Sequence, residues 1–197
     1  MKKLIILTST VFLICISIGS FGAKISPFRT DGCSAYPDGI PGIDSRRWHH
    51  CCLAHDLSYW MGGPVEEKRK ADNELNQCVS DASTSWHGSV MEWGVYLGGI
   101  PNTYFGWRWG YGFEESRSYD GLTEIEAEDA LVKLDELIYH LQDNRDTLST
   151  YQKGYVIGRF SFLRRLLQEK AGVDPFSEEK ASEERLRYDI LLDLLRE

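Results

Sequence analysis

The stretch from His50 to Cys78 constrains this chain more than any other. It holds two adjacent cysteines, a histidine-aspartate pair and, beyond a glycine-proline break, a further aspartate and a third cysteine. On a helix of 3.6 residues per turn, Cys51, His55 and Tyr59 share one stripe, and Cys52 lies under Asp56. Gly62 and Gly63 can take the left-handed conformations that end a helix, and Pro64 suits the start of the next, with Glu66 and Glu67 in its first turn. The pattern predicts an antiparallel helical hairpin. If Cys51 bonds to Cys78, the midpoint of that loop falls at the glycine-proline turn, and so does the midpoint between His55 and Asp72. At about 1.5 Å per residue, His55 and Asp72 then differ in height by roughly 3 Å. A carboxylate there holds one imidazole nitrogen as donor and leaves the other as acceptor, which a general base requires.

Cys51-Cys52-x-x-His55-Asp56, with Tyr59, Asp72 and Cys78 at their spacings, resembles the secreted phospholipase A2 superfamily. The resemblance implies that His55 is the base that activates water, Asp72 orients it, and Tyr59 supports Asp72. It implies that Asp56 is a calcium ligand. It also pairs Cys51 with Cys78 and Cys33 with Cys52. The family commonly has a further bridge between positions matching Ser58 and Ala71, and here both cysteines are missing together. Upstream, the segment from Thr30 to Gly42 stands where the family has a glycine-rich calcium loop. Counting around Cys33 assigns the carbonyls of Gly32, Ser34 and Tyr36 to the ion, with Asp38 as a further side-chain oxygen. Calcium accepts such mixtures of carboxylate, carbonyl and water. The likeness covers about fifty residues, Asp31 to Val79, and assigns no residue to substrate binding.

Other chemistries fit less well. Four consecutive helical residues, His49 to Cys52, point in four directions and cannot close a tetrahedral zinc site. There is no Gly-x-Ser-x-Gly nucleophile elbow.

Met1-Lys2-Lys3, an apolar run from Leu4 to about Ile18, and Gly19-Ser20-Phe21-Gly22-Ala23 predict a signal peptide over residues 1–22, cleaved after Gly22 or Ala23. The expected compartment is secreted or periplasmic. Cys15 leaves with the leader, so the five cysteines become four, an even number in an exported protein. The mature chain carries 20 basic against 30 acidic side chains, a net charge of −10. Nucleic acid is a poor partner for such a surface.

Composition shifts near Tyr119-Asp120-Gly121. Residues 24–119 hold every mature cysteine and all six tryptophans, and residues 120–197 hold neither type. The expected organisation is a phospholipase A2-like domain over 23–119 and a helical C-terminal region over 120–197. In the latter, Thr123-Glu124-Ile125-Glu126 is a capping box before Leu131, Leu134 and Leu137-Ile138. A second helix is predicted from about Thr147 to Lys170, and a third from Asp174-Pro175 to the Ile190–Leu195 run. These helices are expected to pack on the core, or else to form a module for a protein partner. Before them, Trp86, Val90, Met91, Trp93 and Tyr96-Leu97 suit a third helix of the core, stopped by Gly98-Gly99. Tyr104 to Phe113 reads as a glycine-punctuated aromatic loop, either a core flap or a rim for a lipid interface.

The sequence therefore predicts a mainly α fold: a disulfide-linked antiparallel helix pair of phospholipase A2 type with an added C-terminal helical region. The expected activity is calcium-dependent hydrolysis of a phospholipid ester at a membrane surface. A catalytically silent lipid- or protein-binding module on the same fold is the alternative.

Overall fold

A computed structural model describes residues 24–143 and 148–173, with the side chains of 138–143 left aside. The predicted leader and the third C-terminal helix lie outside the described residues. Five helices make up the described fold: α1 (His49–Met61), α2 (Val65–Ala82), α3 (Ser85–Gly98), α4 (Glu124–Asp143) and α5 (Thr150–Lys170). Among the described residues extended pairing is limited to two antiparallel bridges, Ile25 with Phe113 and Ile40 with Asp44.

The turn between α1 and α2 follows from its residues. Gly62 takes φ 71° just past the end of α1, a conformation that costs glycine little. Pro64 caps α2 at φ −58°, close to the angle its ring imposes, and Glu66 and Glu67 occupy the positive end of the helix. Cys51–Cys78 joins the two helices at 5.7 Å between Cα atoms, and Cys33–Cys52 ties the upstream loop to α1 at 5.1 Å.

The main core spans the point where composition changes. Leu57, Trp60 and Met61 of α1 pack with Ile25, Phe113, Ala127, Ala130 and Leu134 of α4, and Phe160, Leu163 and Leu167 of α5. The Thr123 backbone N–H and hydroxyl both donate to Glu126 Oε2 at 2.8 Å, so the expected capping box opens α4. The following helix starts at Thr150 rather than near Thr147. Ser149 is its N-cap, bonded reciprocally with Gln152. A smaller core under the disulfides gathers Trp48, Leu75, Val79 and Met91.

The helix α3 corrects an expectation. It forms over the predicted residues, yet only Gly88 and Met91 are buried, while Trp86 and Trp93 are each 65% exposed and Val90, Tyr96 and Leu97 also face solvent. The physical cause is the contact with α2. A Cβ on Gly88 would lie 2.3 Å from Ser80 Oγ, so the small residue is the face that docks. Asn76 Nδ2 donating to Glu92 Oε2 at 2.6 Å fixes that register, and the broad aromatic stripe is turned outward. The aromatic loop divides in the same manner. Trp109 and Phe113 are buried, whereas Tyr104, Phe105 and Trp107 are exposed.

Candidate active site

The buried face of the hairpin brings His55 of α1 and Asp72 of α2 together. His55 Nε2 lies 3.2 Å from Asp72 Oδ1, and both side chains are almost wholly buried. An ionised carboxylate only accepts, so in the neutral imidazole Nε2 carries the proton and Nδ1 is the acceptor. Tyr59, one turn beyond His55, donates its hydroxyl to the same Asp72 oxygen at 2.6 Å and lies against the imidazole at 4.1 Å between ring centroids. The three residues singled out for catalysis thus form one network.

A fourth member was not expected. Lys68 Nζ donates to Asp72 Oδ2 at 2.7 Å, and the lysine is 4% exposed. A side chain four residues earlier on α2 must share the Asp72 face, which also carries the buried Ala71, Leu75 and Val79. That was the available signal: a lysine in phase with a buried stripe. Both Asp72 oxygens are therefore held. Burial acts to raise the Asp72 pKa, but bonds from His55, Lys68 and Tyr59 outweigh it and keep the carboxyl below its usual range. For His55 burial acts to lower the pKa, and the neighbouring Asp56 and Asp72 carboxylates more than reverse it.

Asp56 adjoins this network on the cavity side. Its Oδ1 is 3.8 Å from His55 Nδ1, and Thr30 donates its hydroxyl to Oδ2 at 2.6 Å. Burial raises the Asp56 pKa, opposed by His55 and Thr30. A carboxylate desolvated this far, with Asp31 adding like charge nearby, is under-compensated by the hydroxyl alone. Gly32, Ser34 and Tyr36 line the same cavity as Asp56. Among the described residues no backbone N–H bonds the carbonyls of Ser34 or Tyr36. The Gly32 carbonyl accepts from Ser34 N at 3.1 Å, which leaves a second lone pair. This donor set is hard and all-oxygen, and it suits calcium. Asp38 Oδ1 accepts from Cys33 N at 2.8 Å and sits 3.1 Å from His49 Nδ1, which ties that oxygen to its own loop.

Among the described residues the one histidine-cysteine cluster does not suit a soft metal. His50 Nε2 is 3.5 Å from Cys51 Sγ and 3.6 Å from Cys78 Sγ, but those sulfurs are joined in a disulfide and offer no thiolate. Cys52 is likewise bonded, to Cys33.

Two cavities meet at Asp56. The first, about 350 Å³, runs from His55 and Tyr59 past Leu75, Met91 and Val95 to a mouth at Val90, Phe105 and Trp107. The second, about 580 Å³, shares Ser34, Asp56 and Trp107 with it. Tyr111 anchors that side of the site: its hydroxyl donates to the Arg29 carbonyl at 2.6 Å, with the Asp56 carbonyl at 3.3 Å.

No protein-family model, curated protein or solved structure matches this chain.

Proposed function

We propose that this chain is a calcium-dependent ester hydrolase of phospholipase A2 type that acts on phospholipid at a lipid surface. The observation that carries this reading is the buried His55–Asp72 pair, held by Tyr59 and Lys68, opening beside Asp56 at the inner end of an apolar cavity. His55 Nδ1 faces the cavity side as an acceptor, and it takes the proton of an attacking water. Asp72 stabilises the imidazolium that forms, and His55 then returns the proton to the leaving alkoxide. Asp56 and the carbonyls of Gly32, Ser34 and Tyr36 would hold a calcium ion, which would supply Lewis-acid polarisation of the ester carbonyl when bound. The apolar walls at Leu75, Met91 and Val95 suit an acyl chain, and water is the only nucleophile needed.

The mouth of that cavity favours an interfacial substrate. Val90 of α3 and Phe105 and Trp107 of the following loop line it, and Trp86, Trp93, Tyr96 and Leu97 extend the apolar surface of α3. Phe105 and Trp107 stack at 5.1 Å with their planes 6° apart. An exposed patch of this kind marks a partner or a membrane, and Trp and Tyr are the rings that settle at the lipid-water boundary. Among the described residues no helix is long and apolar enough to cross a membrane. The disulfides and the predicted leader point to a secreted or periplasmic setting.

The test is fatty-acid release from phospholipid vesicles by the mature protein, with calcium and with a chelator. Calcium-dependent release supports the reading. Vesicle binding without release at any calcium concentration supports the silent lipid-binding module instead.

A further inference from the structure

The second cavity has walls of a different chemistry from the first. Arg29 and Arg108 line it together with Asp31 and Glu114, and Trp107 is common to both cavities. The Arg29 backbone and the Arg108 side chain are each held by hydrogen bonds. The Arg29 carbonyl is held by the Tyr111 hydroxyl at 2.6 Å, and Tyr111 also reaches the α1 backbone at Asp56. Arg108 Nη2 donates to the carbonyls of Phe113 at 2.5 Å and Glu114 at 3.1 Å. Those bonds use both Nη2 hydrogens, and the Nε and Nη1 hydrogens remain as single donors to phosphate oxygens.

We propose that this cavity is the head-group site and that it selects a zwitterionic phosphodiester. The phosphate is taken by Arg29 and Arg108. The terminal ammonium is taken by Asp31, Glu114 and the exposed face of Trp107, since an organic cation gains from both carboxylates and an indole face. The assignment rests on the hydrolase reading, which sets the scissile ester at the junction of the two cavities. Charge then decides between head groups. A phosphate with no amine meets Asp31 and Glu114 as like charges, and a glyceride with no phosphate leaves two guanidinium groups without an anion. Only a head group with both signs satisfies both sets.

Three soluble short-chain esters with identical acyl chains test this, below their aggregation limits: one with a phosphocholine head, one with a phosphoglycerol head, and a diacylglycerol. The expected kcat/KM for phosphocholine exceeds each of the others by about 10-fold or more, the scale of one charged contact. Arg29→Gln lowers the phosphocholine value about 10-fold and leaves diacylglycerol unchanged. Glu114→Gln narrows the gap between phosphocholine and phosphoglycerol. Arg108→Gln also removes a loop anchor, so the two other variants carry the decision. Binding of free phosphocholine, followed by tryptophan fluorescence, needs no turnover. If no ester is cleaved but phosphocholine binds and Arg29→Gln weakens it, the head-group site stands and the hydrolase reading falls. Equal turnover of all three esters, unchanged in Arg29→Gln, overturns the head-group site and leaves the hydrolase reading intact. Absence of both turnover and phosphocholine binding overturns both.

Discussion

The α1–α2 pair and the α3 face treat their side chains in opposite ways. The first buries His55, Asp72 and Lys68 and gives each a partner at 2.7 to 3.2 Å. The second leaves Trp86, Trp93, Tyr96 and Leu97 in water. Buried charge is costly unless paired, and exposed aromatic surface forfeits burial that the fold could have used. Each region departs from what stability alone favours. The departures adjoin the same cavity, one at its inner end and one at its mouth, which is where chemistry and substrate entry belong.

Breaking the buried region should be expensive. Cys51→Ala with Cys78→Ala opens a bridge across 27 residues, and the loss expected from chain entropy is about 3.5 kcal/mol, read as a lowered midpoint in urea. Lys68→Met leaves Asp72 Oδ2 without its cation while Tyr59 and His55 remain, so a loss of about 3 kcal/mol is expected, at the low end for a broken buried pair. Lys68→Arg should recover part of it. An unchanged midpoint in Lys68→Met would place the lysine outside the network.

The acid limb of stability sharpens the same contrast. His50 is buried between the Cys51–Cys78 bridge and the rings of Tyr151 and Tyr155, and burial, with the charge of His49 behind it, lowers its pKa to about 4. A depressed histidine pKa means that the unfolded chain binds the proton more readily. Its contribution is therefore complete above about pH 6.5 and is lost as pH falls through about 4. The low Asp72 pKa acts below the ordinary carboxylate range, outside most of that window. His50→Phe should flatten the melting temperature between pH 6.5 and 4, and an equally steep profile in the variant would assign the slope elsewhere.

The exposed face should respond least in stability. Trp86→Ser with Trp93→Ser should shift stability by no more than about 0.5 kcal/mol per site, as for other surface changes. The same pair should weaken vesicle binding about 10-fold or more, since each tryptophan adds 1 kcal/mol or so of apolar burial at a lipid surface, roughly. Turnover of a monomeric short-chain substrate should be unaltered. Destabilisation by several kcal/mol would mean that α3 is a core helix after all.

The contrast also marks what the sequence could say. The hairpin was legible because helical period, the Gly62–Pro64 turn and the cysteine spacing all impose the same register. His55, Asp72 and Tyr59 meet for that reason alone. Lys68 was overlooked because lysine is rarely buried, and only its phase with Asp72 hinted otherwise. For α3 the apolar spacing disclosed a helix but not which side would dock. Gly88, too small to register as apolar, decided it. Asp38 was read as a further side-chain oxygen for calcium, and spacing alone did not disclose that its Oδ1 is bonded by the backbone N–H of Cys33. The change in composition at Tyr119 is a change in chemistry across one continuous core, because Phe113 packs with Ala127 and Phe160.

Fatty-acid release from a monomeric short-chain phospholipid, titrated with calcium for the wild type and His55→Gln, tests the central claim most directly. Saturable calcium-dependent release is expected in the wild type, with a loss of about 10³-fold or more in His55→Gln, the contribution of a positioned general base. The variant's melting temperature should stay within a few degrees. Release that ignores calcium, or that survives in His55→Gln, would contradict it.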